Sequence, residues 1–268
     1  MTMPASADDP APSRTGEHGA GWLEDVPLFP LGTVLFPGGV LPLRIFEARY
    51  MDMVRACMQS GSPFGVCMIT RGSEVGAAAD HEALGCLANI IDWDMEQLGL
   101  LQIRARGGQR FEALERRVQR DGLVRARIRL IAPDTDAEVP APFVVLAQLL
   151  RRIVGDLVER EANPLNRMVA EPYAYDSAVW VSNRLCEFLP IPMKARQKLM
   201  ELSDPMARLS LVRQFLEQRQ VIWAGRAPRV GRPGGTGQLE QEPLDRLRQR
   251  GAPAAGQAQP AVRRGIAH

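Results

Sequence analysis

Asp92, Asp94 and Glu96 place three carboxylates at every second position. On an extended strand, alternate side chains share a face, so this spacing could offer oxygen ligands to a divalent cation. The same spacing at a hairpin tip keeps the tip soluble. The solubilising role is expected, with no metal or cofactor site. Arg125, Arg127 and Arg129 alternate in the same way and could meet phosphates. Glu112 and Glu115 on a neighbouring strand could equally pair with them across a sheet. No aromatic residues interleave with the arginines, as a single-strand nucleic-acid platform would want.

Nucleophilic chemistry finds little material. The three histidines are His18, His81 and His268. A Ser-His-Asp triad needs a histidine held within hydrogen-bond reach of its partners, which terminal arms cannot provide. His81, between Asp80 and Glu82, reads as a solvated loop tip. Lys194 and Lys198 are the only lysines, so a Ser/Lys pair has almost nothing to draw on. No G-x-x-x-x-G-K phosphate loop occurs. The glycine-rich stretch 231–237 lacks lysine and reads as tail. Cys57, Cys67, Cys86 and Cys186 show no C-x-x-C spacing and read as buried free thiols of a reducing compartment. The expectation is a protein that is not an enzyme.

The stretch that must organise the chain is Val26 to Tyr50. Pro27, Pro30, Pro37 and Pro42 each fix φ and remove a donor, so the spacing predicts short extended pieces rather than one long element. These are Leu28-Phe29, Val34 to Phe36 and Val40 to Ile45, with a turn at Pro37-Gly38-Gly39. Tyr50, Met53, Val54, Cys57 and Met58 then follow the i, i+3, i+4 pattern of a helix with one buried stripe. Glu47 in its first turn suits the positive end of the helix dipole. Together with Arg49 it reads as fixing the strand-to-helix corner through backbone hydrogen bonds and a local ion pair.

Further strands are predicted over Phe64 to Thr70, Gly85 to Asp94, Gly99 to Arg106, Arg110 to Arg117 and Leu123 to Ile131, with a loop from Arg71 to Glu82. Gly107-Gly108 marks a bulge or sharp bend. In the last strand Val124, Ala126, Ile128 and Leu130 share one face. Helices follow. Leu146, Leu149, Leu150, Ile153, Val154 and Leu157 form one stripe. Asp176 is placed to cap a helix ending at Leu189, and Pro190-Ile191-Pro192 opens a short helix to Glu201. Asp204-Pro205 caps a last helix, whose buried face is Leu209, Val212, Phe215 and Leu216.

Composition agrees with a globular core between polar arms. Hydrophobic residues make up 46% of 268, and the net charge is +2. Residues 1–21 lack aromatics and carry a net negative charge. Residues 227–268 are rich in Gly, Pro, Gln, Ala and Arg and carry a net positive one. Both read as disordered arms. The N-terminus has no basic start followed by an apolar segment, and no apolar run reaches the ~18 residues of a membrane span. No membrane partner is expected, and the expected location is cytoplasmic.

The runs P-L-F-P-L, V-L-F-P-G and L-P-L-R-I-F-E-A-R-Y in Val26–Tyr50 resemble the opening of the Lon protease N-terminal (substrate-binding) domain. Two later points extend the resemblance: Leu87-Ala88-Asn89-Ile90, and Gly107-Gly108-Gln109-Arg110-Phe111. The hairpin between them has Met95 to Leu98 where an Asp-Gly turn is often seen. The helical half adds L-x-x-x-L-P-I-P-x-x-x-x-Q-K-L-M-E-L-x-D-P-x-x-R-L, from Leu185 to Leu209. The likeness runs from about residue 24 to 222. The residues that carry it, read as structural, are Pro27, Phe29, Pro30, Phe36, Pro37, Gly38, Pro42, Leu43, Phe46, Glu47, Arg49, Tyr50, Arg110 and Phe111.

The resemblance implies an α+β fold, with a PUA-like twisted β pseudo-barrel followed by a C-terminal helical bundle. Composition and element pattern divide the chain into an arm (1–21), a β-rich subdomain (22–131), a linker (132–142), a helical subdomain (143–226) and a basic tail (227–268). The resemblance also implies a stand-alone relative that lacks the ATPase and peptidase modules. Its function would be non-catalytic binding of unfolded or degron-bearing polypeptides for proteolysis or quality control, with a protease or chaperone as a further partner. A shallow apolar groove with an open sheet edge is expected, lined by Pro37 to Val40 and 71–84. The alternative is a nucleic-acid accessory protein using the Arg-rich tail and strand, whose binding would fall steeply with salt.

Overall fold

The computed structural model describes residues 21–97 and 99–221. Residues 1–20 and 222–268, which include His18, His268 and the glycine-rich stretch 231–237, lie outside the described residues. So do Leu98 and the side chains of Glu96 and Gln97.

Among the described residues, six strands and five α-helices follow one another as β1 (Trp22–Leu31), β2 (Val40–Ile45), α1 (Ala48–Ser60), β3 (Phe64–Arg71), β4 (Asp80–Gln97), β5 (Leu100–Val118), β6 (Val124–Leu130), α2 (Val144–Arg160), α3 (Ala178–Phe188), α4 (Met193–Glu201) and α5 (Pro205–Gln218). The sheet order is β2-β5-β4-β3-β1-β6. A further β5–β6 pairing closes five strands into a barrel and leaves β2 as an outer strand on β5. This is the α+β pseudo-barrel and helical bundle that the resemblance implies.

β1 departs from expectation, because it runs for ten residues across Pro27 and Pro30. It does so by changing partners. Pro27 is paired with Arg125 of β6 and Pro30 with Cys67 of β3, and the two ladders overlap only at Leu28. Each proline is therefore paired on one side alone, and its missing donor costs no ladder bond on the other. β5 also departs from expectation. It is one 19-residue strand rather than two. Gly107-Gly108 does not end it. The register against β4 slips there, with Cys86 opposite Arg110 and Ala88 opposite Gly107, so the extra residue forms a bulge.

Phe36-Pro37-Gly38-Gly39 forms a type II turn. Pro37 takes the second position, Gly38 the third with φ +74°, and the Gly39 N–H reaches the Phe36 carbonyl at 2.9 Å. The turn lies directly on β5. The Gly38 N–H donates to the Gly107 carbonyl, and the Gly107 N–H donates to the Gly39 carbonyl, both at 2.8 Å. A Cβ on Gly107 would stand 2.1 Å from the Phe36 carbonyl oxygen, so only glycine allows this approach.

Helix ends follow local chemistry. Asp204 accepts from the Met206 N–H at 2.8 Å, with Pro205 at the first helical position. In α3 the cap is Ser177, which accepts from the Trp180 N–H at 3.0 Å, rather than Asp176 one residue earlier. The side chain three residues before the N–H it must meet has the right reach, and Ser177 holds that position.

Barrel and helices share one interior. Val34, Phe36 and Met68 are buried in the same cluster as Leu146, Leu150, Val181, Leu185, Leu209 and Val212 of the helices. A second cluster gathers Phe29, Ile45, Tyr50, Val54, Phe64 and Ile103 around α1. Between barrel and bundle sits a buried ion triad. Asp134, 3% exposed at its side chain, pairs with Arg110 of β5 and, at 2.5 Å, with Arg208 of α5. Arg110 also donates to the Met200 and Leu202 carbonyls, at 2.9 and 2.7 Å, at the end of α4. Arg208 donates to the Leu202 carbonyl and, at 3.2 Å, to the Ser182 hydroxyl. Burial pulls the Arg110 guanidinium below its ordinary pKa, and the Asp134 charge opposes that shift.

Removing one partner of a buried ion cluster leaves uncompensated charge, which costs about 3–5 kcal/mol. Asp134→Asn is expected to lower unfolding stability by about that amount in urea titration. Arg127→Ala on the exposed sheet face should cost only about 0–1 kcal/mol. Equal losses in the two variants would show that the triad does not tie barrel to bundle.

Candidate functional site

The candidate site is a cleft of about 600 Å³ at the junction of barrel and bundle. One wall is the incoming segment Val34-Leu35 and strand β2, of which all five residues Val40 to Arg44 border the space. The other wall is α2, through Leu149, Ile153 and Leu157, with Leu165 and Met168 from the following loop. Glu187 and Phe188 of α3 and Arg196 of α4 complete it. Ile153 and Leu157 belong to the apolar stripe of α2, yet they stay only half-buried. The stripe is wider than packing against the bundle needs, and its excess faces the cleft.

β2 presents an open edge here. Because the Gly107 N–H bonds the Gly39 carbonyl, and bonded pairs recur at every second residue of an antiparallel ladder, Leu41–Ala105 and Leu43–Ile103 are the bonded pairs. Val40, Pro42 and Arg44 therefore turn their backbone groups away from β5. Pro42 has no N–H to offer at that edge, so it presents three carbonyls but only two donors. Proline at this position stops indiscriminate strand addition while leaving acceptors in place.

The wall is fixed from beneath by α3. Arg184, 1% exposed, donates to the Pro37 carbonyl at 2.9 Å, and Asn183 donates to the same oxygen at 3.4 Å. Arg184 also pairs with Glu187 at 2.9 Å, and the Phe36 backbone hydrogen-bonds Glu187. Burial pushes the Glu187 carboxyl up to about 7, against the lowering pull of Arg184 and Arg196. Arg196 donates to the Leu189 carbonyl at 2.7 Å.

The motif residues divide between core and surface. Phe29 stacks on Tyr50 with ring centroids 4.0 Å apart, and Phe36 and Phe111 are buried. Glu47 pairs with Arg49 at 2.9 Å, Arg49 donates to the Gly122 carbonyl at 3.1 Å, and its guanidinium lies over the Tyr50 ring. The local ion pair at the corner is therefore present. Phe46, in contrast, is 56% exposed. Of the fourteen residues that carry the family resemblance, only Pro42 and Leu43 border the cleft.

His81 is buried rather than solvated, because β4 begins at Asp80 and draws it into the sheet opposite Ile69. Its Nδ1 meets the Glu82 carbonyl at 2.8 Å, and burial lowers its pKa. No residue of the loop 72–79 lines the cleft, although its Glu74 carboxylate accepts from the Gly32 N–H at 2.6 Å, one residue before the lining begins at Thr33. Of the expected groove residues, Val40 alone lines the cleft. The sequence marks Leu149, Ile153 and Leu157 as part of an apolar stripe but not as a cleft wall, since that wall depends on how the bundle docks. Asp92 and Asp94 accept from the Trp93 and Met95 N–H groups at 2.9 and 2.7 Å, which occupies donors at the end of β4. No cluster of three metal-ligating side chains occurs among the described residues.

The arginine stripe is engaged on the sheet. Arg125 pairs with Asp25 at 3.0 Å, Arg127 with Glu24 at 2.9 Å and Glu115 at 3.5 Å, and Arg129 with Glu112. All four cysteines are buried, and burial raises their thiols, Cys67 and Cys186 to about 12. None is held as the thiolate that nucleophilic attack requires.

Glu187 has a definite pH signature. Its carboxyl titrates near 4.5 in the unfolded chain and near 7 when folded. Between those values the native state holds a proton that the unfolded state has lost, so stability contributed here falls as pH rises through that window. Above 7 the loss is complete. In Glu187→Gln this dependence disappears. The urea stability of wild type minus variant should therefore decline from pH 4.5 to 7 and then level, and a flat or rising difference would contradict the buried-carboxyl assignment.

Comparison with known proteins fits this geometry. The family model of the ATP-dependent protease La (Lon) substrate-binding domain matches residues 25–218. A Lon protease of Anaeromyxobacter dehalogenans is 25% identical over 204 residues, 74% of this chain and 23% of that protein. Protein cereblon of Gallus gallus is 31% identical over 131 residues, 47% of this chain and 28% of that one. The chain thus spans about a quarter of the length of these curated relatives. The crystal structure of a Lon N-terminal domain protein from Xanthomonas campestris is 35% identical, with a TM-score of 0.58, over 72% of this chain and 99% of that one. No helix among the described residues is long and apolar enough to cross a membrane. With the matched region spanning the barrel, the cleft and the helical bundle, the chain belongs to the Lon substrate-binding domain family.

Proposed function

We propose that this protein binds extended, apolar segments of unfolded or degron-bearing polypeptides in the cleft between β2 and α2, and that it serves ATP-dependent proteolysis or protein quality control, with a protease or chaperone as its working partner. The observation that supports this reading is the cleft itself. It is apolar on both long walls, it is bordered by an open strand edge, and it has room for several side chains. An extended segment placed along β2 would hydrogen-bond to the Val40, Pro42 and Arg44 carbonyls and set alternate side chains against Ile153 and Leu157. Family membership favours polypeptide over other apolar ligands, and the binding itself needs no reacting group.

The nucleic-acid alternative draws no support from the sheet, where the arginine stripe is matched by Glu24, Asp25, Glu112 and Glu115.

The test is fluorescence anisotropy with labelled unfolded casein and reduced, unfolded chains of other proteins. Micromolar binding without nucleotide is expected. Leu157→Gln and Leu165→Gln, each at a half-buried position on the cleft wall, should weaken it about tenfold or more while circular dichroism stays native. Tenfold corresponds to about 1.4 kcal/mol, within what one apolar side chain contributes. No affinity for any unfolded chain, or affinity indifferent to both substitutions, would reject the reading.

A further inference from the structure

The apolar walls of the cleft end in a basic rim. Arg44 stands on the β2 side, and Arg152 and Arg160 stand on the α2 side, all three exposed. Among the described residues none of the three forms an ion pair, in contrast to the arginines of β6. Asp156, midway between the two on α2, is the single carboxylate of that rim, and it is itself engaged in an interaction; three rim arginines still outnumber it. Within the cleft, Glu187 is committed to Arg184, while the Nε of Arg196, a side chain more than nine-tenths buried, has no partner. The lining thus carries an excess of positive charge around an apolar centre.

We propose that the cleft selects extended polypeptide segments in which a short apolar core is flanked on both sides by acidic residues. This rests on the polypeptide-binding reading and gives it a substrate class. The spacing follows from two rises. Arg152 and Arg160 are eight residues apart on α2, hence about 12 Å along its axis. An extended peptide advances about 3.3 Å per residue, so acids four positions apart are separated by about 13 Å and meet both arginines. The three residues between them face Ile153, Leu157 and the β2 edge. Arg44 reaches the same segment from the opposite side.

The experiment uses the full chain and three fluorescein-labelled synthetic peptides with one shared three-residue apolar core, flanked by Glu, by Ser or by Lys. At low ionic strength the Glu-flanked peptide should bind about tenfold more tightly than the Lys-flanked one, with the Ser-flanked peptide between them. The gap should shrink severalfold at about 0.3 M salt, where the Debye length falls to about 6 Å. Arg152→Glu combined with Arg160→Glu lies on an exposed helix face, and it should invert the order while leaving the Ser-flanked affinity within about twofold. Equal binding of all three peptides by the wild type overturns the selectivity and leaves polypeptide binding standing. So does an unchanged order in the charge-reversed variant. Binding of none of the three, with no binding of unfolded casein, removes both. Concentration-dependent dimerisation that is lost in the charge-reversed variant would show that a second copy of the chain occupies the face, and it would also overturn the proposal.

Discussion

One carboxylate shared by two buried guanidiniums holds this protein together across its main junction. Asp134 follows the last strand of the barrel, Arg110 comes from the middle of β5, and Arg208 comes from the first turns of α5. Two positive charges against one negative would be a poor arrangement if charge pairing were the whole account. The surplus is taken up by main-chain carbonyls. Arg110 and Arg208 both donate to the end of α4, where unpaired carbonyls carry the negative end of the helix dipole. A helix terminus that would otherwise be buried without partners is satisfied in the same step. Such a cluster adds little net stability over an apolar core, but it tolerates few alternative dockings, because any other arrangement strands charge in the interior.

A second clamp sets the geometry of the cleft. The type II turn at Phe36–Gly39 is pinned on one side to Gly107 of β5 and on the other to Arg184 and Asn183 of α3. The edge strand β2 leaves that turn directly, so its distance from α2 is set by buried hydrogen bonds at its root. A binding wall built this way is rigid where it begins and open along its length. Pre-organisation of that kind lowers the ordering cost when an extended chain adds to it.

Arginine performs three separate tasks in this molecule, and residue type alone does not distinguish them. Arg110, Arg184 and Arg208 are almost fully buried and serve as hydrogen-bond hubs. Arg125, Arg127 and Arg129 lie on the barrel surface and are balanced by acids from adjoining strands. Arg44, Arg152 and Arg160 rim the cleft. The planar five-donor guanidinium suits the first task, because it can satisfy several carbonyls at fixed angles where an ammonium could not.

Local pattern was enough for much of the chain. The proline-kinked corner, the helix stripe from Tyr50, the alternation of β6, the Asp204-Pro205 cap and the Pro37-Gly38 turn are all written in short-range chemistry: fixed φ, missing donors, tolerated positive φ and the periods of helix and strand. These features, with the motifs they carry, were enough to indicate the fold and the family. Three things depended on contacts between residues far apart in the chain. β1 crosses two prolines because its partner changes from β6 to β3, and no local rule contains that exchange. His81 enters the sheet because β3 offers it a register. The cleft exists because α2 docks across from β2, and its width is set by Asp134, Arg184 and the shared apolar cluster. Sequence periodicity reports which face of an element is apolar. It does not report which faces meet, or where two of them stop short of contact and leave a space, since that is decided by long-range packing and by the buried charges that permit only one arrangement.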